Sequence, residues 1–305
     1  MKAEANFALV IHGGAGPLTR DLMTKDLEGK YEAKLKQALE LGYKMLKEKA
    51  SSLNVVEAVI NVMEDSTLFD AGKGSVVNEK GEVEMDSSIM EGNEYKAGSV
   101  ACVKQIKHPI SLARKVMENS PHVMLFGEGA DNFGIKCGLE TVTKDYFFSE
   151  PRYWEDLEIK YNLEKNRKLG TVGAVALDCT GRISAGCSTG GTLKKMQGRV
   201  GDSPIIGSGT YADSKTCGVA CTGTGEYFIR GVVAHSVSLC YEYKQVSIQN
   251  AVEHVLKEKV EKMGGDGGII AMDKDGNVGM VYNTRGMFRG HISKDGMPHV
   301  FIDKT

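Results

Sequence analysis

The chain has 305 residues, a formal net charge of −2 and a pI near 6.4. This nearly neutral balance excludes a general electrostatic footprint for nucleic acid or for an anionic membrane surface. Glycine is abundant, with 37 residues, but no short period organises it, which excludes collagen-like and solenoid repeats.

The amino-terminal half alternates apolar runs with charged segments of helical periodicity. Residues 7–11 form a continuous apolar run typical of a buried strand. Apolar residues recur at helical spacing over 27–49. Further elements are predicted as a helix over 55–63, a loop over 69–75, strands over 84–90 and 98–103, and helices over 111–117 and 129–135. The segment 143–168 is dense in charged and aromatic residues, and we expect a linker or mobile arm there.

The carboxy-terminal half begins with short runs rich in β-branched and small residues. Strands are predicted over 172–177, 183–188 and 219–222, helices over 227–241 and 248–262, and a hairpin that pairs 268–272 with 278–282. The order of these elements favours sheets covered by helices over alternating βαβ units. Periodicity alone leaves α/β and α+β both open.

Cysteine usage and hydropathy both indicate a cytoplasmic protein. The seven cysteines are scattered and form no CxxC pair, so we expect reduced thiols in the core. The first apolar run is too short for a signal peptide. No segment approaches the ~18 apolar residues of a membrane span.

The segment from Gly170 to Glu226 holds the most informative chemistry. Thr171 follows a glycine at the start of a predicted strand, and a break at Gly170 would make it an amino terminus. A threonine hydroxyl needs a base, and a free α-amine with a pKa near ~7.7–8.0 supplies one within the same residue. The intact chain has an amide there, so this mechanism predicts an inactive precursor that cleaves itself between Gly170 and Thr171.

Three polar motifs follow Thr171, and each has a plain structural explanation as well as a functional one. Thr189 lies in Ser-Thr-Gly-Gly, a sequence that also suits an ordinary turn. Arg199 and Asp202 would form a surface ion pair, or would hold the carboxylate and the ammonium group of a small zwitterion. The run from Thr222 to Gly225 would be a glycine-rich strand end, or an oxyanion hole from a hydroxyl and an amide.

The order and spacing of these motifs resemble the plant-type L-asparaginase/isoaspartyl peptidase family of N-terminal-nucleophile hydrolases, and the resemblance covers nearly the whole chain. It implies an α+β fold, specifically a four-layer α-β-β-α sandwich in a single domain over 1–305. It also implies autocleavage into 1–170 and 171–305. The implied roles are catalytic for Thr171, Thr189, Thr222 and Gly223, and substrate-binding for Arg199, Asp202 and Gly225.

The resemblance extends to a loop that binds a structural sodium ion mostly through backbone carbonyls. By register the ligands would be Met63, Glu64, Ser66, Phe69, Ala71 and Lys73. No cofactor is expected for catalysis. Asp70 stands where many family members carry asparagine. A carboxylate there either raises the pKa of the Thr171 amine or accepts a hydrogen bond.

The implied activity is hydrolysis of L-asparagine and of N-terminal β-aspartyl dipeptides by a homodimer of cleaved αβ units, with small-molecule substrates and neither nucleic acid nor membrane as partner. Alternatives within the fold are a glycosylasparaginase and a taspase-like endopeptidase. An uncleaved, non-catalytic homologue is a further alternative. The run from His12 to Gly16 lacks the Gly-Lys-Ser/Thr ending of a phosphate-binding P-loop, which makes a nucleotide-binding protein a weak alternative. No histidines have the spacing of a zinc site.

Overall fold

The computed structural model describes residues 6–16, 23–148 and 170–303. Within these residues the chain forms two sheets. The larger sheet has eight strands in the order β12-β11-β1-β5-β6-β2-β3-β4, and the smaller has four in the order β10-β9-β8-β7. Adjacent strands are antiparallel except for β3 and β4. The strands are β1 (Ala8–Gly16), β2 (Met85–Glu91), β3 (Lys96–Val103), β4 (Met124–Phe126), β5 (Val172–Leu177), β6 (Ile183–Thr189), β7 (Thr210–Ala212), β8 (Cys217–Gly223), β9 (Gly267–Asp273), β10 (Val278–Tyr282), β11 (Gly286–Ile292) and β12 (His299–Asp303).

The described α-helices fall into two groups that cover different sheets. They are α1 (Lys25–Lys47), α2 (Ser52–Glu64), α3 (Pro109–Asn119), α4 (Gly127–Lys136), α5 (Lys144–Phe148), α6 (Gly225–Gly231), α7 (Val233–Lys244) and α8 (Ile248–Val255). Helices α1, α2 and α3 pack on the larger sheet, whereas α7 and α8 pack on the smaller one. The predicted α-β-β-α order of layers is therefore confirmed.

Side-chain alternation along the strands sorts the core into layers. In β5, Val172, Ala174 and Ala176 face the helices, while Val175 and Leu177 face the second sheet. Both faces are apolar because both are covered, which explains the continuous apolar run in the sequence. Strand β8 follows the same rule, with Cys217, Val219 and Cys221 toward its helices and Ala220 between the sheets.

The two sheets approach closely because glycines replace side chains at the contact. A Cβ on Gly218 would lie 2.4 Å from Cγ1 of Val175, and one on Gly173 would lie 3.0 Å from Cβ of Ala220. Strand β8 therefore lies against β5 and runs in the opposite direction. The amino-terminal end of β5 and the carboxy-terminal end of β8 meet at one edge of the sandwich.

Several predicted elements differ from the observed ones. The helix predicted over 227–241 is two helices, because Val232 has a left-handed φ of 48° that ends α6 and begins α7. The helix predicted over 248–262 is α-helical only to Val255 and continues as a π-turn and a short 3₁₀ turn. Part of the predicted linker, Lys144–Phe148, is helix α5. Most of that linker, residues 149–168, lies outside the described residues.

Most of the cysteines lie in the core, as predicted. All seven are free thiols, and five of them are buried: Cys102, Cys187, Cys217, Cys221 and Cys240. Among the described helices, none is long and apolar enough to cross a membrane.

Candidate active site

Gly170 is held between two segments that are distant from it in sequence. A Cβ on Gly14 would lie 2.4 Å from the Gly170 nitrogen, and a Cβ on Gly170 would lie 2.4 Å from Cβ of Asp70. Both glycines have φ values that other residues rarely adopt, 109° at Gly14 and 129° at Gly170. Gly14 also lies at a bulge in β1, where the register with β11 shifts. The peptide before Thr171 is thus packed on two sides by backbone.

Thr171 directly precedes the predicted strand, which begins at Val172, and its side chain is buried. It donates a hydrogen bond of 3.0 Å to Oγ1 of Thr189, at the end of the neighbouring strand β6. Oγ1 of Thr189 also accepts a 3.0 Å hydrogen bond from the amide of Gly191, in the turn that follows β6. The Thr189 hydroxyl therefore lies beside the Thr171 hydroxyl and is oriented by a backbone amide.

Thr222 lies on the facing strand at the same edge of the sandwich. It belongs to the face of β8 that carries Ala220, and Thr171 belongs to the face of β5 that carries Gly173. Gly218 faces Val175 and Ala220 faces Gly173 across the two sheets. Two residues further along each strand, Thr222 faces Thr171. Thr171, Thr189 and Thr222 all belong to the faces between the sheets, where water has little access.

The Thr222 hydroxyl and the backbone of Gly223 are suited to hold an oxyanion. Oγ1 of Thr222 is buried and has no hydrogen-bond partner among the described residues. Gly223 has a φ of 156°, and a Cβ there would lie 2.5 Å from both the Asp266 carbonyl oxygen and the Phe228 ring. A buried donor without a partner costs free energy unless a ligand supplies the acceptor.

Arg199 and Asp202 lie beside the start of α6. A Cβ on Gly225 would lie 2.8 Å from both the nitrogen and Oδ1 of Asp202, so Gly225 and Asp202 are in direct contact. Arg199 forms a bidentate pair with Glu226, in which Nε donates to Oε1 and Nη2 donates to Oε2, both at 2.9 Å. Burial lowers the pKa of Arg199, but Glu226 and Asp202 raise it by more. The arginine is therefore cationic at every physiological pH.

Asp86 is a buried acidic residue that interacts electrostatically with Arg199. Burial raises the pKa of Asp86, while Lys195, the Cys102 amide and Arg199 act to lower it. Oδ1 of Asp86 accepts a 2.9 Å hydrogen bond from the Cys102 amide, at a point where the register of β2 and β3 shifts. Asp86 is also the register partner of Thr189. It connects the region around Arg199 to the strand that carries the second hydroxyl.

The six residues predicted to bind sodium surround a tight turn at Gly72–Gly74. A Cβ on Gly72 would lie 2.4 Å from the Glu64 carbonyl oxygen, and one on Gly74 would lie 2.0 Å from the Phe69 carbonyl and 2.9 Å from that of Ser66. These three carbonyls therefore turn toward the same backbone. Three of the six carbonyls take part in local turns: Met63 accepts from the Ser66 amide, Phe69 from that of Ala71, and Ala71 from that of Gly74. The side chain of Lys73 does not enter the turn, since its Nζ lies 5.4 Å from the Tyr146 ring centroid.

Asp70 connects this turn to the hydroxyl pair. Its carbonyl accepts a 3.0 Å hydrogen bond from the Gly190 amide, and its Oδ1 accepts one of 3.0 Å from the Val76 amide. The space beside Oδ1 is filled by the Gly190 backbone, where a Cβ would lie 2.3 Å away. Of the two roles considered for this carboxylate, the structure places it as a hydrogen-bond acceptor in the intact chain.

The side chain of Glu64 has a position that the sequence did not predict. Its Oε1 accepts a 2.6 Å hydrogen bond from the Ser188 hydroxyl and a 3.1 Å bond from the Ile110 amide. Burial raises the pKa of Glu64 to about 8, although both hydrogen bonds lower it. Because Ser188 precedes Thr189, the end of α2 is fixed to the strand of the second hydroxyl.

Glu226 and Asp86 are the site residues that sequence reasoning missed. Glu226 directly follows the run from Thr222 to Gly225, and its place as an acidic residue in the first turn of a helix is the available signal. No comparable local signal marks Asp86, because its hydrogen bond with Cys102 and its electrostatic interaction with Arg199 involve residues that are distant in sequence.

Comparison with known proteins identifies the family of this chain. A family model described as asparaginase matches residues 5–302. The chain is 42% identical over 292 residues to the isoaspartyl peptidase of Escherichia coli strain K12, with 92% of this chain and 91% of that protein covered. It is 38% identical to the human isoaspartyl peptidase/L-asparaginase, with 98% and 96% covered. It is 41% identical to the plant-type L-asparaginase of Pyrococcus horikoshii, with 95% and 97% covered. The chain therefore belongs to the asparaginase family.

Proposed function

We propose that this protein is a threonine amidohydrolase that converts L-asparagine to L-aspartate and ammonia and hydrolyses N-terminal β-aspartyl dipeptides. The observation that carries the proposal is the 3.0 Å hydrogen bond between the Thr171 and Thr189 hydroxyls, directly after the enclosed glycine Gly170. The names of the relatives, isoaspartyl peptidase and L-asparaginase, support the choice of substrates.

Self-cleavage would precede turnover. Oγ1 of Thr171 attacks the Gly170 carbonyl carbon, the C–N bond breaks, and the glycine becomes esterified to the threonine. Water then hydrolyses the ester, leaving a Gly170 carboxylate together with a free amine and a free hydroxyl on Thr171. The packing of Gly170 between Gly14 and Asp70 supports this step, because it holds the peptide in a conformation that only glycine adopts readily.

In the cleaved protein the Thr171 amine would act as the base for its own hydroxyl. The hydroxyl attacks the side-chain acyl carbon of the bound aspartyl unit, and the oxyanion is stabilised by the Thr222 hydroxyl and the Gly223 amide. One such donor is typically worth about 2.7–4 kcal/mol of transition-state stabilisation. The amine passes its proton to the departing ammonia or peptide amine, and water then releases aspartate from the ester.

Arg199 and Asp202 would bind only the aspartyl end of the substrate. The guanidinium takes the α-carboxylate, the aspartate takes the α-ammonium group, and Gly225 leaves room beside them. Neither contact extends to the leaving group. A site of this kind accepts both a side-chain amide and a β-linked peptide, which explains how one set of residues would serve two substrates.

A structural sodium ion is part of the proposal. The carbonyls of Glu64, Ser66 and Phe69 that turn toward Gly72–Gly74 fit a hard cation with oxygen ligands, and those of Met63, Ala71 and Lys73 would complete the set. The ion would stiffen the loop that carries Asp70, and no chemical step needs it. Its test is the thermal unfolding midpoint, which should be higher in sodium chloride than in choline chloride at equal ionic strength.

The proposed assembly is a homodimer of cleaved αβ units, and the cytoplasmic location stays a prediction. Sedimentation of the processed protein would measure its mass in solution. A single αβ unit at micromolar concentration would contradict the dimer and would leave the proposed chemistry untouched.

The experiment that tests the function is intact-mass spectrometry of purified protein, fresh and after incubation. Two fragments, 1–170 and 171–305, should accumulate in the wild type and be absent from Thr171→Ala. Release of ammonia from L-asparagine and of free amino acid from a β-aspartyl dipeptide should rise in proportion to the cleaved fraction. A chain that stays intact, or cleaved protein inactive on both substrates, would contradict the proposal.

A further inference from the structure

The guanidinium that would bind the substrate carboxylate already holds a carboxylate of its own chain. Glu226 accepts hydrogen bonds from Nε and Nη2 of Arg199, both at 2.9 Å. This bidentate geometry fixes the plane of the guanidinium group as well as its position. The pair also connects two segments of the site, the loop before Asp202 and the first turn of α6.

The pair leaves one edge of the guanidinium available. Nη1 of Arg199 is buried and has no hydrogen-bond partner among the described residues. A Cβ on Gly201 would lie 2.8 Å from Nη1, so a glycine keeps the space beside that nitrogen open. Glu226 therefore occupies the Nε edge, and an incoming carboxylate would meet Nη1 together with the second hydrogen of Nη2.

Two roles are open to a carboxylate in this position, and they predict opposite effects. As a competitor, Glu226 would have to leave Arg199 before substrate binds. As a support, it would stay and hold the open edge toward the substrate. The side chain of Glu226 is 54% exposed and that of Arg199 is 16% exposed. Glu226 thus approaches from the solvent side, while the unpartnered nitrogen is on the buried side, and this separation favours the support.

We infer that Glu226 is a positioning residue, which fixes Arg199 so that its Nη1 edge binds the α-carboxylate of the substrate. The inference rests on the proposed function, because it needs Arg199 as the carboxylate ligand. Without Glu226 the arginine would regain rotamer freedom that substrate binding must then remove. That freedom corresponds to about a tenfold change in affinity.

The test compares Glu226→Gln with wild type after complete self-cleavage. Glu118→Gln is a matched control, because Glu118 likewise accepts a hydrogen bond from an arginine, at 2.8 Å from Nε of Arg114, on helix α3. Each protein is assayed with L-asparagine and with its α-amide, which keeps the ammonium group and lacks the carboxylate. Glu226→Asp is a second variant that keeps the charge and shortens the reach.

We expect Glu226→Gln to raise KM for L-asparagine about tenfold with kcat within about twofold, because the lost interaction contributes equally to ground state and transition state. The preference for L-asparagine over its α-amide should fall by a similar factor. Glu226→Asp should show the same loss, since the geometry fails although the charge remains. Glu118→Gln should match wild type in KM and in preference.

Other outcomes would overturn the inference in distinguishable ways. A lower KM in Glu226→Gln would identify Glu226 as a competitor. An unchanged preference in Glu226→Gln, with a strong preference in wild type, would remove the positioning role and leave Arg199 as the ligand. A wild type that hydrolyses both compounds equally well would remove the proposed role of Arg199, and this inference with it.

Discussion

The contact between Gly14 and Gly170 leads to a sharp prediction for Gly14→Ala. A Cβ on Gly14 would lie 2.4 Å from the Gly170 nitrogen and 2.5 Å from its Cα, where ordinary contacts measure 3.4–4 Å. The two backbones must therefore move apart by about 1 Å. A displacement of that size at a reacting group costs about 10²-fold in rate. The left-handed φ of 109° adds strain, and we expect a total loss of about 2–4 kcal/mol in unfolding free energy.

The assay follows the cleaved fraction by intact mass and the stability by thermal unfolding. Gly14→Ala should keep a cooperative transition with a lower midpoint, and its precursor should persist at least about 100 times longer than that of wild type. Gly29→Ala is the control, because no atom lies within 4 Å of a Cβ at that position of α1. It should cleave normally and gain about 0.5–1 kcal/mol. A Gly14→Ala precursor that folds and cleaves at the rate of wild type would refute the reasoning.

Three further substitutions probe hydrogen bonds, two beside the site and one, at Asp178, at the far end of β5. Thr189→Val keeps the shape and removes the acceptor of the nucleophile's hydrogen bond, and should lower kcat by about 10–100-fold in steady-state assays. Asp178→Asn weakens the bond to the first amide of α2, 2.8 Å long, and should cost about 2 kcal/mol of unfolding free energy in urea at pH 7. Ser188→Ala removes the 2.6 Å bond to the buried carboxyl of Glu64 and should cost about 1–3 kcal/mol by the same measurement.

The effect of Asp178→Asn should depend on pH in a defined direction. Burial raises the pKa of Asp178, but hydrogen bonds from Thr180 and Ser52 lower it by more, so the net shift is downward. The stabilisation is then present above the unfolded pKa near ~3.9, and it is lost as the pH falls through the lower folded value. The difference from wild type should be constant from about pH 5 to 8 and shrink below about pH 4. A difference that grows in acid would contradict this assignment.

The other two substitutions have their own controls. Thr189→Ser keeps the hydroxyl and should retain most of the activity, so a loss as large as that of Thr189→Val would point to the methyl group. Ser188→Thr keeps the donor to Glu64. If it is as unstable as Ser188→Ala, then packing rather than the hydrogen bond explains the loss.

Thr171, Thr189 and Thr222 were expected together because their motifs follow one another within one segment in the order typical of the family. Thr171 directly precedes β5, Thr189 ends β6 and Thr222 lies one residue before the end of β8. Strand alternation then places all three on the same inner faces. The hairpin through Gly276 was also predictable, since its turn residues and flanking apolar runs are local signals. These are features in which neighbouring residues specify the conformation.

The features that could not be predicted depend on contacts between distant segments. Val232 is a β-branched residue, for which a left-handed φ is not expected, yet this φ separates α6 from α7. The helical pattern of the sequence is overridden here by the tertiary structure. Strand β11 is interrupted by Arg289 and Gly290, and β12 has only five residues. Their conformation depends on pairing, since β11 lies between β1 and β12 in the sheet. The pair of Arg199 and Glu226 likewise joins residues that no short motif relates.

The strand order of the larger sheet decides what self-cleavage leaves behind. Strands β1 to β4 would belong to the first fragment, and β5, β6, β11 and β12 to the second. In the sheet, β1 lies between β11 and β5, and β2 pairs with β6. The two fragments would thus be interleaved, joined by three ladders of backbone hydrogen bonds. Breaking one peptide bond would not release either piece. Its consequence is a permanent two-chain protein whose fragments separate only when the whole sheet unfolds.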